Sequence, residues 1–249
     1  MPDERFVFLD FDDTLSDPFV FHTQYVREIG ALLAPQYGGD AEGWAKAAID
    51  LLEKLESEYL ARFTTNPLNG YCAWLETVRE RSAHHMFERM GLPTPADAAR
   101  IARETQFNAL LQCNAAFPGA VQALTELFES GYRIQIASGQ ESEYLMAALM
   151  GAGLESFTES KFGPDLVDCA KEGPEYYQQI FEATGVRAAE AVVVDDSPPA
   201  IGWAMQTGAA VIQSRVSRER HFDVVPGVAM VMTDLRDLPE LVKTVFARR

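Results

Sequence analysis

Four apolar residues, Phe6-Val7-Phe8-Leu9, run directly into Asp10, Phe11, Asp12, Asp13, Thr14 and Leu15. So short a run, rich in Phe and Val, predicts a buried strand. From about Pro18 to Asn114 the pattern switches to helical spacing. Val26, Ile29, Leu32 and Leu33 recur on one face, as do Ala48, Leu51, Leu52, Leu55 and Tyr59, while Glu53, Lys54, Glu56 and Glu58 supply a solvated face. Asn66-Pro67-Leu68-Asn69-Gly70 predicts a turn. A third helix is expected through Trp74, Val78 and Arg81, and a fourth through Ile101, Phe107, Leu110 and Leu111, with Thr94 or Asp97 as its cap.

Beyond this block the chain alternates. Helices are expected at Pro118–Ser130, Glu141–Met150, Glu175–Ala183 and Ala200–Gln206, most of them stopped by glycine. Strands are expected at Tyr132–Ala137, Ala191–Val194, Ala209–Ile212 and Ala229–Met232. This alternation predicts an α/β fold, a Rossmann-like parallel sheet covered by helices on both faces. The expected division is an α/β core from residues 1–17 and 115–249, interrupted by a helical insertion at 18–114. Such sheets carry their sites at the carboxyl ends of the strands, where the acids after Leu9 lie.

Composition narrows the partners. The formal net charge of −16 argues against nucleic acid and anionic membrane surfaces. It leaves small phosphorylated molecules open, because a metal and a few cations reverse the field inside one pocket. Cys72, Cys113 and Cys169 are widely spaced and odd in number, which argues against a disulfide framework and makes a reducing, cytoplasmic compartment the expectation. Asp3, Glu4 and Arg5 ahead of a very short apolar run do not read as a signal peptide, and no apolar run is long enough to span a bilayer. Oligomeric state is not legible.

Three strand ends carry candidate chemistry. A buried strand ending in carboxylates is costly unless a cation pairs with them, and alternation along an extended chain points Asp10 and Asp12 to one side. Val192-Val193-Val194 likewise ends in Asp195, Asp196 and Ser197. Acids at two buried strand ends repel unless a cation sits among them. Oxygen donors with no His or Cys nearby select a hard ion, and Mg2+ fits best. Ser138-Gly139, between a strand and a helix, offers a hydroxyl and backbone N–H groups to an anion. Lys171 precedes Pro174-Glu175-Tyr176-Tyr177 at a helix start, and Lys161 is its nearest competitor. Taken singly, each has an ordinary explanation: an acidic turn, a Ser cap, a solvated Lys.

Together, the strand ending Asp10-Phe11-Asp12-Asp13-Thr14-Leu15, Ser138, Lys171 and Asp195-Asp196 resemble the four motifs of the haloacid dehalogenase (HAD) superfamily, in order and spacing. The resemblance is to helical-cap phosphatases of the phosphoglycolate phosphatase and β-phosphoglucomutase-like type, in which a cap follows the first motif. Asp13 departs mildly, since glycine is frequent there, and Glu172-Gly173 separates Lys171 from Pro174. The resemblance implies a Mg2+-dependent phosphatase acting on a small phosphorylated metabolite. Asp10 would be the nucleophile that takes up the phosphoryl group, and Asp12 the general acid/base. Ser138, Gly139 and Lys171 would bind the phosphoryl group. Asp10, Asp12 through its carbonyl, Asp195 and Asp196 would hold the metal. Within the insertion, Phe19, His22, Thr23, Tyr25, Arg62 and the turn at Asn69-Gly70-Tyr71 are positioned as candidates for substrate contact, with His22 and Tyr25 put forward. Alternatives are a phosphoglucomutase-like phosphotransferase, a phosphonatase (which would need Lys46 or Lys54), a dehalogenase, or a non-catalytic binding module.

Overall fold

The chain folds around a parallel sheet. In the computed structural model, which describes residues 5–217 and 222–248, six strands lie in the order β3-β2-β1-β4-β5-β6. Along the chain they are β1 (Phe6–Leu9), β2 (Arg133–Ala137), β3 (Lys161–Phe162), β4 (Ala191–Asp195), β5 (Ala210–Ser214) and β6 (Met230–Met232). Four helices fall between β1 and β2 before a fifth leads into β2: α1 (Pro18–Tyr37), α2 (Ala41–Phe63), α3 (Tyr71–Arg89), α4 (Ala98–Leu111) and α5 (Ala120–Glu129). The others are α6 (Ser142–Gly151), α7 (Pro164–Val167), α8 (Pro174–Thr184), α9 (Pro198–Gln206) and α10 (Leu238–Ala247).

Strand alternation explains the layering. Val7, Leu9, Ile134, Ile136, Val192 and Val194 face one core with Leu124 and Leu127 of α5. Phe6, Phe8, Ala191 and Val193 face the other with Tyr177, Ile180 and Phe181 of α8. Both faces are buried, so β1 is wholly apolar and β4 is apolar up to Asp195. β1 pairs with β2 on one side and β4 on the other, with Leu9 level with Ile136 and Val194. The three central strands therefore end together, which sets Asp10 level with Ala137 and Asp195, with Ser138 one residue beyond.

The helices between β1 and β2 form a layered block. Gly30 of α1 lies against the backbone of α2, where even a β-carbon would come within 2.1 Å of the Ala41 carbonyl oxygen. The turn between α2 and α3 is seated on the core. Phe63, Tyr71 and Leu75 bury themselves with Ala170, and the Ala170 N–H donates to the Pro67 carbonyl at 2.8 Å.

Several elements differ from the sequence pattern. β3, α7 and α10 were not foreseen, the first two because they are too short to show a period. Asp97 sits at the N-cap of α4, but its carboxylate pairs with Arg100 instead of capping the helix, and Thr94 lies further upstream. Cys72, Cys113 and Cys169 are free thiols. Among the described residues no helix is long and apolar enough to cross a membrane. Asp3 and Glu4 lie outside the described residues.

Candidate active site

Asp10 continues the line of β1 by one residue, its N–H donating to the Val194 carbonyl at 2.9 Å. There the strand stops. Leu15 and Ser16 both donate to the Phe11 carbonyl at 2.9 Å, and Asp13 takes a left-handed conformation with φ 55°. Asp12 lies within this tight turn. The Asp12 carboxylate is turned to Gln140, whose Nε2 donates to Oδ2 at 3.2 Å. Left-handed backbone is unfavourable for most side chains but tolerated by Asp, so Asp13 can stand where glycine would be easier.

Asp10, Asp195 and Asp196 each offer one carboxylate oxygen, and these three atoms lie within 4.8 Å of one another, all from buried residues. Lys171 is the counter-charge. Its Nζ stands 2.8 Å from Asp10 Oδ1 and 2.8 Å from Asp195 Oδ2, and it donates to the Ala137 carbonyl at 3.0 Å. Tyr177 donates to Asp195 Oδ2 at 2.9 Å, and the Ser197 N–H donates to Asp195 Oδ1 at 2.9 Å.

The electrostatics follow from crowding. Burial pushes the Asp10 carboxyl well above the ordinary aspartate value, and Lys171 only partly opposes it. Burial also pulls on Lys171, but Asp10 and Asp195 outweigh it and hold the ammonium charged to well above the usual lysine value. Burial and the neighbouring Asp195 push Asp196 up to about 7. One ammonium does not neutralise three buried carboxylates, and an oxygen-only donor set suits a hard divalent cation.

Ser138 is buried at the end of β2, its N–H donating to the Phe162 carbonyl at 3.0 Å. Tyr176 donates to the carbonyl oxygens of Ser138 and Phe162, at 2.7 and 2.8 Å. The Ser138 hydroxyl accepts from the Gln140 N–H at 3.2 Å, with exposed Gly139 between them. The N-terminus of α6 is not an open anion site: its Ser142 N–H donates to Asp165 Oδ1 at 2.8 Å.

The candidates in the helical block have ordinary surroundings. His22 is exposed on α1, whereas Tyr25 is buried, its ring packed edge-on against Tyr144 at 6.2 Å. Arg62 donates through Nε and an Nη to the Asn69 carbonyl and braces the α2–α3 turn, and Tyr71 is buried among Tyr59, Phe63 and Trp74. Lys46 and Lys54 are exposed. Lys161 is spent on Glu155 Oε1 at 2.8 Å and the Thr158 carbonyl at 3.1 Å. Gln140 escaped sequence reasoning, since a Gln after a Ser-Gly pair carries no signal. So did Arg79 of α3, which reaches Glu141 Oε2 at 2.9 Å across the block–core boundary.

A family model described as haloacid dehalogenase-like hydrolase matches residues 5–202, which takes in β1 and β4 with their acids. The chain belongs to the HAD-like hydrolases. It is therefore a hydrolase of that family. It is 32% identical over 96 residues to the probable phosphatase IndB of Dickeya dadantii, a match covering 39% of this chain and 42% of that protein. Among solved structures, a 2-haloacid dehalogenase from Pseudomonas syringae is similar at TM-score 0.69 and 20% identity, covering 97% of this chain and 99% of that one. The L-2-haloacid dehalogenase of Xanthobacter autotrophicus follows at TM-score 0.59 and 20% identity (96% and 98%). YfnB of Bacillus subtilis, bound to magnesium, is similar at TM-score 0.60 and 16% identity (96% and 98%). At such identities these structures speak to the fold of HAD-like hydrolases alone.

Proposed function

We propose that this HAD-like hydrolase is a Mg2+-dependent phosphatase that cleaves a small phosphate ester through an aspartyl-phosphate on Asp10. The observation that carries the reading is the second acid. Asp12 stands two residues after Asp10, and its carboxylate, bonded to Gln140, is not one of the three that gather at Asp10, Asp195 and Asp196. An acid kept out of a cation-binding set is available for proton transfer. Expelling an alkoxide needs a proton and expelling a halide does not, so a second acid favours phosphate esters over haloacids. The probable phosphatase among its relatives points the same way.

Asp10, Asp195 and Asp196, with the Asp12 carbonyl, are the groups that would hold the metal. A bound Mg2+ supplies positive charge against the phosphoryl oxygens and relieves the repulsion among the carboxylates. In the first step a carboxylate oxygen of Asp10 forms a bond to phosphorus, the ester P–O bond breaks, and Asp12 gives its proton to the departing oxygen. In the second, Asp12 takes a proton from water as the water oxygen attacks phosphorus. The aspartyl P–O bond breaks and inorganic phosphate leaves. Lys171 and the Ser138-Gly139 segment offset charge on the phosphoryl oxygens in both steps. Helices α1–α4 are read as a cap, residues 18–114, covering a core of 1–17 and 115–249. The hydrogen bond from the Ala170 N–H to Pro67 and the Arg79–Glu141 ion pair support that reading.

The deciding experiment assays the purified protein with Mg2+ against a panel of small phosphate esters, with Asp10→Asn as control. Phosphate release that requires the metal and vanishes in the control supports the reading. Release of halide from a 2-haloacid in place of phosphate overturns it.

A further inference from the structure

The three residues after Gly139 are anchored on three different parts of the molecule. The Gln140 N–H donates to Ser138 Oγ at 3.2 Å, Glu141 Oε2 lies 2.9 Å from Arg79 on α3, and the Ser142 N–H donates to Asp165 Oδ1 at 2.8 Å. A segment tied this way has little freedom. The Gln140 side chain leaves it toward Asp12, with Nε2 3.2 Å from Oδ2. Oδ2 can accept from the amide nitrogen whether or not the other oxygen carries a proton, and a neutral donor fixes the direction of the carboxyl group without adding a second cation to the site.

From this geometry we propose that Gln140 is a positioning residue for Asp12, holding its carboxylate where it meets the oxygen that leaves; the proposal rests on the phosphatase reading. A proton donor has to stand within hydrogen-bond reach of its target. A side chain displaced by about 1 Å can lose on the order of a hundredfold in rate. Gln140 couples Asp12 to the same segment that carries Ser138, so the proton donor and a contact to the phosphoryl group share one support.

Gln140→Met and Gln140→Leu keep the bulk and remove the donor. Steady-state kinetics with Mg2+ would compare an alkyl phosphate, whose leaving oxygen needs the proton, with p-nitrophenyl phosphate, whose leaving group departs as a stable anion. Because Asp12 also serves the second step, which is the same for both esters, the comparison is made on kcat/KM, which reports the first: the expected result is a fall of about tenfold or more for the alkyl ester and of less than about threefold for p-nitrophenyl phosphate. An equal fall for both esters, or none for either, overturns the proposal. A second measurement stands apart from activity: crystal structures of the wild-type protein and both variants. Asp12 is expected in one orientation facing Gln140 in the wild type and displaced or split in the variants. An unchanged Asp12 overturns the proposal whatever the assay gives. Absence of phosphate release by the wild type with every ester, combined with a displaced Asp12, overturns the phosphatase reading and with it the leaving-oxygen role, and leaves only the orientation of Asp12 by Gln140 supported.

Discussion

Tyr177 and Lys171 converge on one oxygen: the tyrosine hydroxyl donates to Asp195 Oδ2 at 2.9 Å and the lysine Nζ reaches the same atom at 2.8 Å. Asp195 Oδ1 takes the Ser197 N–H at 2.9 Å, so both of its oxygens are directed by the protein. Donors of this kind orient a carboxylate that faces a metal. Tyr177→Phe is expected to weaken Mg2+ binding about tenfold. It should also lower stability by about 1–2 kcal/mol, because a buried acceptor loses a donor. Calorimetric Mg2+ titration and urea unfolding measure the two, and an unchanged affinity would count against the role.

Lys171→Met should cost more. It leaves Asp10 and Asp195 buried without their cation, an arrangement worth about 3 kcal/mol or more at neutral pH. The loss should shrink in acid, where Asp10, which burial holds well above the ordinary aspartate value, takes up a proton. Urea midpoints at neutral and acidic pH test this. A pH-independent loss would mean that Lys171 matters for packing instead of charge.

Asp196 makes a pH prediction. Its carboxyl is pushed up to about 7 from an ordinary 3.8, first by burial and then by Asp195. A raised acid pKa means that the folded protein keeps a proton which the unfolded chain releases. The group therefore costs nothing below about pH 4, and its cost grows with pH until it levels off above about pH 7. Metal-free Asp196→Asn should then unfold at the same temperature as the wild type in acid and several degrees higher at neutral pH, at about 2–4 °C for each kcal/mol recovered. Thermal unfolding of both proteins across that range checks the sign. A gap that closes as pH rises would refute it.

Gly30→Ala separates propensity from packing. Inside an exposed helix the change would add about 1 kcal/mol of stability. Here the new β-carbon would lie 2.1 Å from the Ala41 carbonyl oxygen, so α1 and α2 must move apart. The expected outcome is a loss of about 1–3 kcal/mol in urea unfolding. A gain would show that the helices separate at no cost.

Much of the fold was legible because its signals are local. The apolar runs at Phe6–Leu9 and Ala191–Val194 needed only their own residues to read as buried strands, and the glycines at 131, 185 and 208 marked stops that the helices and turns obey. The edge strand Lys161–Phe162 was not legible, because two residues form a strand only when Ile136 and Ala137 are already beside them. The Asp10–Asp195–Asp196 group was anticipated as residues but not as a shape. Which side chain the Asp12 carboxylate would meet, that of Gln140, was not legible.

The sequence by itself determined which strands would be buried and that acids would end two of them, since hydrophobic run length and residue type act within a few positions. Tertiary structure decided the rest. Lys171 instead of Lys161 faces Asp10, Gln140 meets Asp12, and Asp165 occupies the N-terminus of α6. The physical reason is separation along the chain. Asp10 and Lys171 lie 161 positions apart, and Asp12 and Gln140 128 apart. Only the closing of β1 between β2 and β4 brings such groups within hydrogen-bond reach, and no local pattern encodes which partners that closure delivers.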